Sequence, residues 1–238
     1  MKLEVTSWPE WRSFSTLSED YEAELEFVDG FLNIDPPQNY KLIWKDVSMA
    51  VQIKKARNHS LTKEETFQCF QSLVKRPYFL CQLATKFGCK NFAEVGTAQG
   101  LQFFSFAEQA KSIRGHVWSC DIQDVRNYEY TQKYRENTSF CLGDSSNLAA
   151  QISNKGKKID FFYIDGAHQK GSVEKDVLSL REVQSETPVW VFDDFDERFG
   201  CHEDIKKLCL QNKNFAVYRV GNAASGNPNH QVVIVGKL

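Results

Sequence analysis

The stretch Phe92-Ala93-Glu94-Val95-Gly96-Thr97-Ala98-Gln99-Gly100-Leu101 reads as a strand, a glycine-bearing turn and the start of a helix. Glycines at such a place let the main chain turn tightly and let a ligand approach the backbone. Asp121, 21 residues beyond Gly100, closes the next apolar run, Val117-Trp118-Ser119-Cys120-Asp121. An acid there reaches ribose hydroxyls in nucleotide-binding α/β folds. The spacing narrows the ligand further. A dinucleotide fingerprint wants GxGxxG, whereas Gly96 and Gly100 stand as GxxxG, and no GKS/T phosphate loop is present. Glu94, just ahead of the loop, is poor company for a pyrophosphate and suits a ligand with an ammonium group, a ribose and no phosphate.

Outward from this loop, short apolar runs alternate with amphipathic segments. The runs are 91–95, 116–120, 139–142, 160–164, 189–192, 215–220 and 231–235, with helical spacing in 101–110, 128–134, 146–152, 172–180 and 202–210. Such alternation predicts an α/β fold with a mostly parallel sheet covered on both faces. No helical pattern separates the last two runs, so they are expected to pair as a hairpin, making one strand antiparallel. Upstream, Thr62 and Glu65 make a capping box for a helix over 62–75, and Pro77 opens a second that Gly88 ends. Leu42 to Arg57 has apolar helical spacing. The chain thus divides into an irregular, partly helical extension, residues 1–60, and a domain over 61–238 that begins with the helices of 62–87.

The chain has 238 residues, 29 Lys+Arg and 31 Asp+Glu, a net charge of −2 with neutral histidines. That length suits one generous domain, or a core of roughly 150–180 residues with an extension. With 42% hydrophobic and 25% charged residues it is neither disordered nor collagen-like. A near-neutral balance gives no general attraction to nucleic acid. No apolar run approaches the roughly 20 residues that span a bilayer, and the N-terminus has no secretory h-region, so a cytoplasmic protein without a membrane partner is expected. Seven cysteines without CxxC spacing read as reduced, small core residues. Asp35-Pro36-Pro37-Gln38 lacks the closing aromatic of a base-stacking loop and reads as a turn. The aromatic N-terminal crop, Trp8 to Trp44, either walls a substrate pocket or packs on the domain or a second subunit, leaving homo-oligomerisation open.

A second constellation carries chemistry. Phe161-Phe162-Tyr163-Ile164-Asp165-Gly166-Ala167-His168 ends the fourth strand and Val189-Trp190-Val191-Phe192-Asp193-Asp194 the fifth. In a parallel sheet both tips open on the edge that carries the glycine loop. Asp165, Asp193 and Asp194 would repel one another without a cation, and an all-oxygen set points to Mg²⁺, or to Ca²⁺ or Mn²⁺. Neighbouring strand residues face opposite ways, so Asp193 and Asp194 can share an ion only if the strand bends.

Residues 91–238 resemble a class I S-adenosylmethionine-dependent methyltransferase, whose E-x-G-x-x-x-G motif appears as Glu94, Gly96 and Gly100. Asp121 matches the ribose-binding acid and Gly143-Asp144-Ser145 the segment beside the adenine. The resemblance implies a Rossmann-like sheet of seven strands, one of them antiparallel. It also implies S-adenosylmethionine as cofactor, held by Glu94, Gly96, Thr97, Gly100, Asp121, Ile122, Gly143, Asp144, Ser145 and Asp165. Ile-Asp-Gly-Ala-His followed by Phe-Asp-Asp is similar to the metal-dependent small-molecule O-methyltransferases. The nearer likeness is to the group that methylates macrolide sugars and has cephalosporin-biosynthesis relatives. The catechol type has Asp-Asn where this chain has Asp193-Asp194. That likeness implies Asp165, Asp193 and Asp194 as metal ligands, His168 as general base beside Asp165, and a small-molecule or sugar acceptor. Two rivals keep the scaffold: a metal-free methyltransferase using His168 alone, and a non-catalytic binding protein.

Overall fold

The structure is a computed structural model that describes residues 35–47, 63–211, 216–221 and 230–238. Helices α1 (Gln38–Val47) and α2 (Lys63–Lys86) precede the sheet. Then come β1 (Asn91–Val95), α3 (Leu101–Ile113), β2 (His116–Asp121), α4 (Tyr128–Lys133), β3 (Thr138–Leu142), α5 (Ser145–Asn154) and β4 (Ile159–Ile164). The chain continues through α6 (Ser172–Leu180), a 3₁₀ turn (Arg181–Val183), β5 (Gln184–Phe195), α7 (Cys201–Gln211), β6 (Ala216–Gly221) and β7 (His230–Val235).

The seven strands form one sheet in the order β3-β2-β1-β4-β5-β7-β6. Strands β1 to β5 pair in parallel, and β7 runs antiparallel to both β5 and β6, the single reversal expected. Side-chain alternation divides the core between the two faces. Phe161 and Tyr163 of β4 pack with Phe92, Phe103 and Phe106 on the face covered by α1, α2 and α3. Phe162 and Ile164 point the other way, with Trp118, Leu148, Val177, Trp190 and Ile205. There the Phe162 and Trp190 rings stack with centroids 3.7 Å apart.

The upstream helices differ from expectation. α2 runs unbroken through Pro77 instead of stopping at residue 75 and restarting. An interior proline costs about 3 kcal/mol. The next turns fully bury Phe79 and Leu80 and nearly bury Leu83, each worth about 1.5–3 kcal/mol, so packing outweighs the break. α1 starts at Gln38, earlier than the apolar spacing suggests, because the Pro37 carbonyl accepts from Tyr40 N (3.0 Å) and Lys41 N (3.2 Å). The readings for residues 1–34 and 48–62, including the capping residue Thr62, lie outside the described residues. Of the described cysteines, Cys81, Cys89, Cys120, Cys201 and Cys209 are buried free thiols. Among the described residues no helix is long and apolar enough to cross a membrane.

Candidate active site

The parallel strands all end on one edge, where the turns after β1, β2, β3 and β4 meet. The β1 turn is tied to both neighbouring strands: Gly96 N donates to Cys120 O (3.0 Å) and Asp165 N donates to Val95 O (2.9 Å). Gly96 has φ 90°, and a Cβ there would lie 2.0 Å from the Asp165 carbonyl oxygen, so only glycine allows this approach. Asp121 reaches back into the loop, accepting from Ala98 N (2.8 Å) with one oxygen and from Gln123 N (3.1 Å) with the other. Beside it Ile122 is 79% exposed and Leu142, its neighbour across β3, is 66% exposed. Apolar side chains left open at a strand edge suit the face of a flat ring.

Two expected cofactor residues are engaged in the fold. Glu94 is 1% exposed and accepts from Ser119 Oγ (2.6 Å), its register partner on β2. Ser119 also bonds Thr97, whose hydroxyl donates to Cys120 O (3.1 Å). Burial pushes the Glu94 carboxyl up to about 8, partly offset by the Ser119 hydrogen bond, which leaves it largely protonated at neutral pH. The negative charge expected beside the loop is therefore mostly masked. Asp144 caps α5, accepting from Ser146 N (3.1 Å) and Asn147 N (3.3 Å), while Lys175 Nζ sits 2.8 Å from its other oxygen. These bonds, with that of Lys175 first, hold the Asp144 carboxyl below the usual range. Asn147 Oδ1 accepts from Asp144 N (3.2 Å), completing the capping box, and Gly143, at φ 149°, leaves room for that side chain. Next to Asp144, Ser145 is fully buried.

At the tips of β4 and β5, Asp165, His168 and Asp194 each bring one ligand-type atom within 4.8 Å of the others. His168 Nε2 lies 2.7 Å from Asp194 Oδ2, and the His168 ring packs on Phe199 at 4.8 Å. The bend that the sequence required is present. Between the pairs Phe192↔Val232 and Phe195↔His230 the ladder slips by one residue, and Asp194 takes φ 54°. This bulge re-aims the side chains. Its outcome is not the expected trio, because His168 stands with Asp165 and Asp194 where Asp193 was expected.

Asp193 is 5% exposed and turned to other partners. Arg76 Nη1 of α2 lies 3.2 Å from Asp193 Oδ2, Tyr163 Oη donates to the same oxygen at 2.7 Å, and Gln231 Nε2 donates to Oδ1 at 3.4 Å. The Tyr163 hydroxyl also lies 3.1 Å from Asp165 Oδ2, bridging two carboxylates with the single proton it can give. Burial, then the charge of Asp193, drive the Asp165 carboxyl well above its ordinary range; Arg76 offsets this in part. Burial and Asp193 likewise raise Asp194, against His168 and Arg76. A cation between these groups would relieve the mutual cost.

Sequence reasoning missed Arg76 and Asp176. Arg76 left no local signal, since its partner lies 117 positions away. Asp176 left one: it sits within the apolar stripe Val173, Val177 and Leu180 of α6, where helical spacing expects another hydrophobic residue.

Residues 93–195 match a family described as a methyltransferase domain. Over that segment the chain is similar to methyltransferase domains. This matched segment holds the glycine loop, Asp121, Asp144 and the strand tips with Asp165, Asp193 and Asp194. The methyltransferase fold recurs in solved structures of low identity. An O-methyltransferase from Bacillus cereus in complex with SAH is 16% identical with a TM-score of 0.57, over 90% of this chain and 97% of its own. The O-methyltransferase TomG from Streptomyces achromogenes, in complex with SAM and involved in tomaymycin synthesis, is 10% identical with a TM-score of 0.57, over 92% and 100%. No curated protein sequence matches the chain significantly. The residues of this site fit the cofactor of such enzymes: the Asp121 carboxylate stands beside the β1 turn on the open edge, and Ile122 and Leu142 leave apolar side chains exposed for a ring.

Proposed function

We propose that the chain is a divalent-metal-assisted O-methyltransferase that acts on a hydroxyl of a small molecule or sugar. The observation that carries this reading is the grouping of Asp165, His168 and Asp194, with ligand-type atoms within 4.8 Å, on the edge that also bears the glycine loop. Two hard carboxylates with raised proton affinity beside an imidazole fit a Mg²⁺- or Mn²⁺-type ion. Asp165 and Asp194 would hold it. A near-neutral net charge of −2 favours a small acceptor over a polyanion.

Bound there, a divalent ion would lower the pKa of an acceptor hydroxyl and fix its oxygen. The chain supplies the rest. Asp194 Oδ2 accepts from His168 Nε2 at 2.7 Å, which selects the tautomer with a free lone pair on Nδ1. His168 Nδ1 then takes the acceptor's proton. Asp121 and the β1 turn would hold the methyl donor by its ribose, and the exposed Ile122 and Leu142 would cover its ring. The donor would supply an electrophilic methyl group, its C–S bond breaking as the O–C bond to the acceptor forms.

Arg76 favours a second reading, because its guanidinium already brings one positive charge to the same carboxylates without a metal. One experiment separates the two. Methyl transfer to a panel of vicinal diols and sugars is measured with EDTA and after Mg²⁺ or Mn²⁺ is restored. Loss and recovery of turnover support the metal-assisted enzyme; full turnover in chelator establishes the metal-free one.

A further inference from the structure

Asp165 and Asp193 come from neighbouring strand tips. Tyr163 and Val191 are register partners on β4 and β5, and two residues beyond each, past the last paired rung, stand Asp165 and Asp193. The Tyr163 hydroxyl touches both, at 3.1 Å and 2.7 Å. Sequence alone therefore makes Asp193 as good a ligand as Asp165. Its oxygens are already taken. Oδ2 accepts from Tyr163 and lies 3.2 Å from Arg76 Nη1, while Oδ1 accepts from the same guanidinium nitrogen (3.3 Å) and from Gln231 Nε2 (3.4 Å). At 5% exposure, Asp193 cannot turn to another partner without giving these up.

Arg76 is the counter-charge in this arrangement. Burial opposes its charge, but Asp193 above all, then Tyr163, Asp165 and Asp194, more than restore it. The guanidinium thus acts on the very acids that would hold an ion, and like charges repel across such distances. Three ionised carboxylates and one guanidinium leave two negative charges, the complement of one divalent cation. Without Arg76, three negative charges would draw the ion, and Asp193 would be released toward it. An ion-paired, buried carboxylate is a poor ligand, because it must shed its partners first.

We propose that Arg76 makes Asp193 an internal counter-ion instead of a metal ligand, so that the chain takes one divalent cation through Asp165 and Asp194 and holds it less tightly than its acids alone would. This rests on the metal-assisted reading above and departs from the family likeness, which implies all three acids as ligands. Two carboxylates suffice for an ion such as Mg²⁺, which keeps several of its waters. Arg76 and Asp193 are positioning residues: through the Tyr163 hydroxyl, which also bonds Asp165 Oδ2, they decide which acids face the ion.

The test is titration of the full chain with Mn²⁺, followed by loss of the free-ion EPR signal, which needs neither acceptor nor turnover. Asp165→Asn and Asp194→Asn are each expected to weaken Mn²⁺ by about tenfold or more. Arg76→Met removes a like charge and is expected to tighten Mn²⁺ about tenfold. Arg76→Met combined with Asp193→Asn restores the charge balance, and its affinity is expected within about threefold of the wild type. A merely structural pair would loosen the site and weaken Mn²⁺ in both variants. Arg76→Met that binds no more tightly than the wild type overturns the inference. So does a double variant weaker by more than about threefold, which makes Asp193 a ligand. Should Arg76→Met fail to fold, the double variant, which strands no charge, decides alone. A wild-type chain that binds no Mn²⁺ at millimolar concentration overturns the metal reading itself, and this inference with it.

Discussion

Arg76 on α2 and Asp193 on β5 form an ion pair, Nη1 to Oδ2 at 3.2 Å, that ties the helix ahead of the sheet to the strand tip beside the candidate ion site. It also separates two adjacent acids. Asp193 faces the helix and Asp194 faces His168, so one strand end serves the fold and the crevice at once.

Removing the cation of that pair strands a carboxylate that is 5% exposed. Arg76→Met is expected to lower stability by about 2–4 kcal/mol, toward the smaller end because Arg76 itself is partly exposed. The double variant with Asp193→Asn recovers part of the loss. Urea midpoints for the single and double variants check this; an Arg76→Met midpoint equal to that of the wild type refutes it.

The stability of the cofactor-free protein falls as pH rises through neutrality. Glu94 has its folded pKa raised from 4.5 to about 8, so between those values the folded chain holds more protons than the unfolded one. The stabilisation is complete below pH 4.5 and lost as pH climbs through about 8. The upward shifts of Asp165 and Asp194 act in the same direction. Thermal melts from pH 6 to pH 9 are expected to show a falling midpoint, with a shallower fall in Glu94→Gln.

Asp121→Ala removes the acceptor that holds Ala98 N at 2.8 Å and the acid at the end of β2. S-adenosylhomocysteine affinity is expected to drop at least about tenfold, the worth of one charge-assisted hydrogen bond. Calorimetric titration gives the comparison, and an unaltered dissociation constant removes Asp121 from the ribose.

His168→Gln keeps a donor toward Asp194 but carries no basic nitrogen. Turnover is expected to fall about 100-fold or more, with cofactor affinity kept. A variant that turns over at the wild-type rate shows that another group takes the proton.

The sheet was legible because each strand carries an unmixed signal. Asn91–Val95 and Ser172–Leu180 stand where apolar runs and helical spacing put them, and the reversal of β7 follows from a segment with no helical pattern. Pro77 misled because a local rule met a packing term that depends on residues far along the chain. The glycine loop and the acids at the strand tips were visible as types. Their orientation was not, because it depends on a one-residue bulge and on Arg76, whose partner lies 117 positions away. Asp176 could have been found: an acid amid Val173, Val177 and Leu180 breaks the pattern of its own helix.

The missing side chain at Gly96 has a mechanical consequence. With the Asp165 carbonyl only 2.0 Å from where a methyl would begin, the loop after β1 and the tip of β4 have no slack between them and shift as a block. Reacting atoms tolerate misplacement of less than about 1 Å before rates collapse. The fold thus works as a gauge: the gap across which a group must travel is ruled by main-chain contact, and no rotamer change at the rim can stretch it.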